Sequence, residues 1–153
     1  MCYVALIPTE KLHGSYSTDC YDFRPCSLKE IKITFAGQSF PSFNGIRLNY
    51  TATNPDWTEG YQSLLQRESL ANCGLYPTYD TYITGHTMYG FLLNNVPSLN
   101  NDHRSRVRSA EARLTLIFEA TNNNPNLSCL FFSLTDEIVE ITSERAVTKG
   151  FVS

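Results

Sequence analysis

Apolar and polar residues alternate with a period of two along much of the chain, the pattern of half-buried strands. In Leu28–Phe35, Ile31, Ile33 and Phe35 fall on one face, and Glu30, Lys32 and Thr34 fall on the other. Ala36-Gly37-Gln38 then predicts a tight turn, since Gly37 tolerates a positive φ. Ser39-Phe40 leaves that turn, and Pro41 limits further pairing. Residues 113–120 alternate as cleanly, with Leu114, Leu116 and Phe118 inward and Thr115 and Glu119 outward. After a polar loop at 121–126, residues 127–134 are apolar at nearly every position, which predicts a strand buried on both faces. A last strand is expected at 137–142, and the apolar start at 1–8 also reads as a strand.

Two segments depart from this period. Trp57, Tyr61, Leu64 and Leu65 recur at helical spacing after Asn54-Pro55-Asp56, and Gly74 follows, so a helix is expected at 56–70. Residues 82–96 are aromatic and Thr-rich with Gly85 and Gly90 inside, which predicts a kinked strand. Repeats, linkers and low-complexity tracts are absent from the sequence. The expectation is a single domain over 1–153, mainly β, an antiparallel sandwich or jelly roll with one short helix.

Composition narrows the function more than the fold. Hydrophobic residues make up 42% and charged residues 18%, so the chain can build a core and is not of the disordered class. The net charge of −3 favours neither nucleic acid nor an anionic membrane surface as a partner. The apolar start is short and has no basic leader or small-residue cleavage site, so it does not read as a signal peptide. The five cysteines are odd in number and scattered, without a Cys-x-x-Cys pair, which implies free thiols in a reducing compartment.

Candidate chemistry is sparse. His13, His86 and His103 are far apart in sequence and none belongs to a metal-binding spacing. Asp80 and His86 lack any local support for a serine triad. Asp136 and Glu137 are adjacent, so on a strand they point to opposite faces. Arg104, Arg106 and Arg108 would share one face of an extended segment, a docking stripe for an acidic partner or simply a solvated face. Tyr76, Tyr79, Tyr82, Tyr89 and Phe91 could offer a stacking surface for sugars or bases, though core packing suits their near-alternation better. The reading is therefore no catalytic residue, no cofactor and no metal; a cupin-like site would need clustered His and Glu ligands.

The order of several segments carries a resemblance. Arg113-Leu-Thr-Leu-Ile-Phe-Glu-Ala120, the polar loop, Leu130-Phe-Phe-Ser-Leu134, Asp136-Glu-Ile-Val-Glu-Ile141 and Arg145 in the following turn resemble the end of the major capsid protein of Polinton (Maverick) elements and adintoviruses. Leu12-His-Gly-Ser-Tyr16, Ile33-Thr-Phe-Ala-Gly-Gln-Ser-Phe-Pro41 and Gly60-Tyr-Gln-Ser-Leu-Leu65 are similar to its upstream turn, hairpin and helix, in the same order.

That family's protein is a double jelly roll about three times this length. The resemblance covers only the second jelly roll, without its first strand, as in an N-terminally truncated copy. It implies a structural, non-enzymatic protein of viral or transposon origin. The full-length form would associate as a homotrimer and with other capsid proteins, without direct nucleic-acid or membrane contact. Its expected place is the virion when assembled and otherwise the cytoplasm or nucleus, not the secreted space. A missing first strand should also leave an inner strand as an exposed edge. The alternative is a domesticated or stand-alone jelly-roll module that binds a protein or a sugar.

Overall fold

The structure is a computed structural model that describes residues 1–14, 16–17, 19–50, 55–65, 77–93, 111–119, 126–133, 138–141 and 147–150. In chain order, the elements are β1 (Cys2–Pro8), a 3-10 turn (Thr9–Lys11), β2 (Leu28–Phe35), β3 (Gln38–Phe40), β4 (Ile46–Arg47), α1 (Thr58–Leu65), α2 (Tyr79–Tyr82), β5 (Met88–Phe91), β6 (Ala112–Phe118), β7 (Leu127–Ser133), β8 (Ile138–Ile141) and β9 (Val147–Gly150). The protein is mainly β, and its strand pairs are antiparallel.

One sheet runs β5-β1-β7. In the other, β2 pairs with β6 along one edge, and β3 and β4 share its opposite edge. β8 and β9 form a separate hairpin. The two cleanest alternations in the sequence, β2 and β6, are thus neighbours, with Ile31 opposite Leu116 and Ile33 opposite Leu114. A register shift between Leu28 and Glu30 inserts one extra residue. That bulge keeps Leu28 on the core face although it lies three positions before Ile31. The β2–β3 turn places Ala36 at φ 51° and Gly37 at φ 77°, the double positive φ of a two-residue hairpin that follows strand twist.

The core lies between the sheets. Val4, Leu6, Tyr89 and Phe91 from the first sheet meet Leu28, Ile31, Ile33 and Ile46 from the second. Each such side chain contributes about 1.5–3 kcal/mol when fully removed from water. β1 is buried on its other face as well. Tyr3 packs with Leu64 and Tyr82, and Ala5 and Ile7 pack with Phe23. The helices and the 19–23 loop therefore form a third layer behind the first sheet.

Three expectations change. The helix occupies Thr58–Leu65 rather than beginning at 56, and residues 66–70 lie outside the described residues. Asp56 cannot enter the helix because its backbone is paired with Asn49 by two hydrogen bonds of 2.7 and 2.8 Å. Its carboxylate instead accepts the Thr58 N–H at 3.0 Å, just ahead of the first turn. Among the described residues of 82–96, Met88–Phe91 is the strand and Tyr82 closes a second short helix, while 94–96 lie outside the described residues. The Thr78 hydroxyl caps that helix by accepting the Thr81 N–H at 3.3 Å, which overrides the β preference of the aromatics. β7 is not buried on both faces, whereas β1 is. β1 is the central strand of its sheet.

Candidate functional site

Two surfaces draw attention, and the first follows from strand register. Phe131 stands opposite Val4 and Phe132 opposite Tyr3, so the two phenylalanines lie on opposite faces of the sheet. Val4 and Tyr3 are 0% and 9% exposed, while Phe131 and Phe132 are 50% and 47% exposed. Burial is lost within one strand step. Across the sandwich, Leu114, Leu116 and Phe118 of β6 face the core but are only half-buried. Ile117 stands exposed on the outer face of β6. Among the described residues, β6 and β7 also lack a partner on their second edge. Among the described residues the sandwich is thus open along the β6–β7 side, with apolar side chains in the opening.

The second surface is a pocket of about 450 Å³ behind the first sheet. The 19–23 loop, the end of α1 and the turn between α2 and β5 wall it, with Phe23, Leu64, Pro77 and Met88 as its apolar lining. Backbone hydrogen bonds from Phe23 N–H to Gly85 carbonyl (2.9 Å) and from Thr87 N–H to Phe23 carbonyl (3.0 Å) tie two of these walls together. Asp22, also in the lining, accepts from Lys11 Nζ at 2.8 Å and from Arg24 Nε at 3.0 Å. These partners, Arg24 first and Lys11 next, hold its carboxyl below the usual carboxylate range.

The sequence candidates scatter. His86 lines the pocket and His13 sits in the turn after the 3-10 segment, while His103, Arg104, Arg106, Arg108, Asp136, Glu137 and Arg145 lie outside the described residues. Asp80 is exposed in α2. No group of His, Cys, Asp and Glu that could hold a metal ion occurs among the described residues.

Of the five aromatics, Tyr82, Tyr89 and Phe91 are fully buried, Tyr79 is 37% exposed, and Tyr76 lies outside the described residues. Tyr79 belongs to a ladder instead. It stacks on Trp57 at 5.3 Å, and Trp57 stacks on Tyr50 at 6.2 Å. The buried Trp57 indole N–H finds no partner among the described residues. Cys2, Cys20, Cys26 and Cys129 are free thiols, and burial pushes the Cys2, Cys26 and Cys129 thiols up.

Sequence reasoning did not single out Asp19, Tyr21, Asp22 or Phe23. Their neighbours in the pocket come from segments around 64, 77 and 84–88, so no local spacing announces them.

No protein-family model matches the chain, and no solved structure matches it. The uncharacterized protein F54H12.2 of Caenorhabditis elegans is 25% identical over 149 residues, covering 94% of this chain and 34% of that protein. The chain therefore spans about a third of the length of that relative. No helix among the described residues is long and apolar enough to cross a membrane.

Proposed function

We propose that this chain is a structural β-sandwich module of jelly-roll type that works by self-association, as a major capsid protein of the Polinton and adintovirus kind does. The observation that carries this reading is the exposure of Phe131 and Phe132 on opposite faces of β7. A strand with exposed apolar side chains on both faces and, among the described residues, an unpaired edge is suited to be covered by protein. The antiparallel sheets on either side of one core agree with a jelly roll. In F54H12.2 the aligned region is 34% of the protein, which leaves length for a second sandwich of similar size. Trimers of the longer form, its assembly with other capsid proteins and its place in a virion are parts of the same proposal.

The test is light scattering on the purified chain and on the longer native polypeptide that contains it. Association of the chain alone and discrete trimers of the longer form are the expected results. A monodisperse monomer in both cases would overturn the capsid reading. The pocket behind the first sheet favours one alternative, a stand-alone binding module, and that outcome would support it.

A further inference from the structure

The pocket behind β1 has a composition that selects a ligand. Its floor is apolar, from Phe23, Leu64, Pro77 and Met88. Its two carboxylates differ. Asp22 is already answered by Lys11 and Arg24, neither of which lines the pocket among the described residues. Asp19 has no cation beside it among the described residues. Its Oδ1 accepts the Tyr21 backbone N–H at 2.8 Å, which fixes the carboxylate, and among the described residues its second oxygen has no recorded hydrogen bond.

Beside it, the Tyr21 ring is 73% exposed and held edge-on against Phe23, with centroids 6.4 Å apart and planes at 83°. An exposed aromatic face, a fixed carboxylate and an apolar floor together suit a cation on an apolar body. The ring face attracts the charge, the carboxylate pairs with it, and the floor takes the hydrocarbon. The volume of about 450 Å³ falls within the range of small-ligand sites, about 300–1,000 Å³.

We infer that this pocket binds an organic cation, an amidinium or guanidinium group carried on an aromatic or aliphatic body, with Asp19 pairing the charge, Tyr21 stacking on it, and Phe23, Leu64 and Met88 receiving the body. Such a group occurs on small molecules and on arginyl peptides. The pocket lies behind the first sheet, away from the β6–β7 opening, so the inference does not rest on the capsid reading.

The experiment titrates the full chain with benzamidine, with benzoate as the anionic control and with N-acetyl-phenylalanyl-arginine amide as the peptide arm, read by calorimetry and by amide shifts in NMR. Benzamidine or the peptide should bind and benzoate should not. Tighter binding of the peptide would identify a partner protein's arginine as the source, and tighter binding of benzamidine a free small cation. Asp19→Asn keeps the acceptor for the Tyr21 N–H and removes the charge, so affinity should fall about tenfold, the size of one charge-assisted pair. Thr84→Trp on the exposed rim should block the cavity and abolish binding. Equal binding of benzoate, unchanged affinity in Asp19→Asn, or no binding of either cation would overturn the inference.

Discussion

The Ser63 hydroxyl joins α1 to β5. It accepts the Gly90 N–H at 3.1 Å and donates to the Gly60 carbonyl at 2.7 Å, and Ser63 is only 2% exposed. A Cβ on Gly90 would run into the Ser63 carbonyl oxygen, so the helix backbone rests directly on the strand. This contact covers the outer edge of β5. Gly90→Ala should therefore lower stability by about 2–3 kcal/mol through overpacking. Ser63→Ala should cost about 1–2 kcal/mol by stranding a buried N–H. Thermal melts followed by circular dichroism measure both, and an unchanged Tm in Gly90→Ala would mean that α1 does not sit on β5.

Asp22 makes stability depend on acid. Arg24 and Lys11 hold its carboxyl below the ordinary value of about 3.9. A depressed folded value means that the contribution is fully present above the unfolded value and is lost as pH falls through the folded one. Its side chain is 16% exposed, and Arg24 is 60% exposed, so solvent screens the cluster and Asp22→Asn should cost about 1 kcal/mol at neutral pH. Urea unfolding at neutral pH and near pH 2 should show a gap between parent and variant that closes in acid. A gap of equal size at both values would assign the effect to packing rather than charge.

Buried tyrosines set the opposite limit. Burial pushes the Tyr50 hydroxyl up to about 12, against the opposing effect of its 3.2 Å contact with the Tyr89 hydroxyl. Burial also raises Tyr82 and Tyr89 well above the ordinary value. A folded value above the unfolded value of about 10 leaves stability intact below that pH and removes it as pH rises toward 12. Alkaline unfolding should begin above about pH 10, and tyrosinate absorbance from these three rings should appear together with the loss of structure. Ionisation of all three while the far-ultraviolet spectrum stayed native would contradict their burial.

Legibility in the sequence followed the locality of the cause. β2 and β6 were readable because each faces the core with one side only, which writes a period of two into the chain. β1 and β7 are both nearly continuous in apolar character, yet β1 is buried on both faces, while β7 is only partly covered, at Leu127 and Leu130, and leaves Phe131 and Phe132 exposed. Apolar content reports that a surface must be covered, and it does not say whether the cover comes from the same chain. The second helix had a local signal in Pro77-Thr78 and the acidic Asp80, which the aromatic density of the segment outweighed. The pocket had none, because its walls meet only after β1 has been buried between two layers.

The same contrast between β1 and β7 yields a substitution test of assembly. Phe131 and Phe132 are half-exposed side chains on a strand whose inner edge is held by seven paired positions with β1, from Cys2–Ser133 to Pro8–Leu127. Replacing both with Thr puts a β-branched residue suited to a strand at each position and removes much of the exposed apolar surface. The fold should survive, since neither ring is a buried part of the core and the ladder to β1 is unchanged. Self-association should weaken by at least an order of magnitude, because interfaces concentrate their energy in a few aromatic anchors worth about 2 kcal/mol or more each. Concentration-dependent sedimentation of the parent and the double variant measures this, with circular dichroism as the control for folding. A folded variant that associates as strongly as its parent would move the interface away from β7. A parent that stays monomeric at every concentration would leave the exposed phenylalanines without a role in self-association.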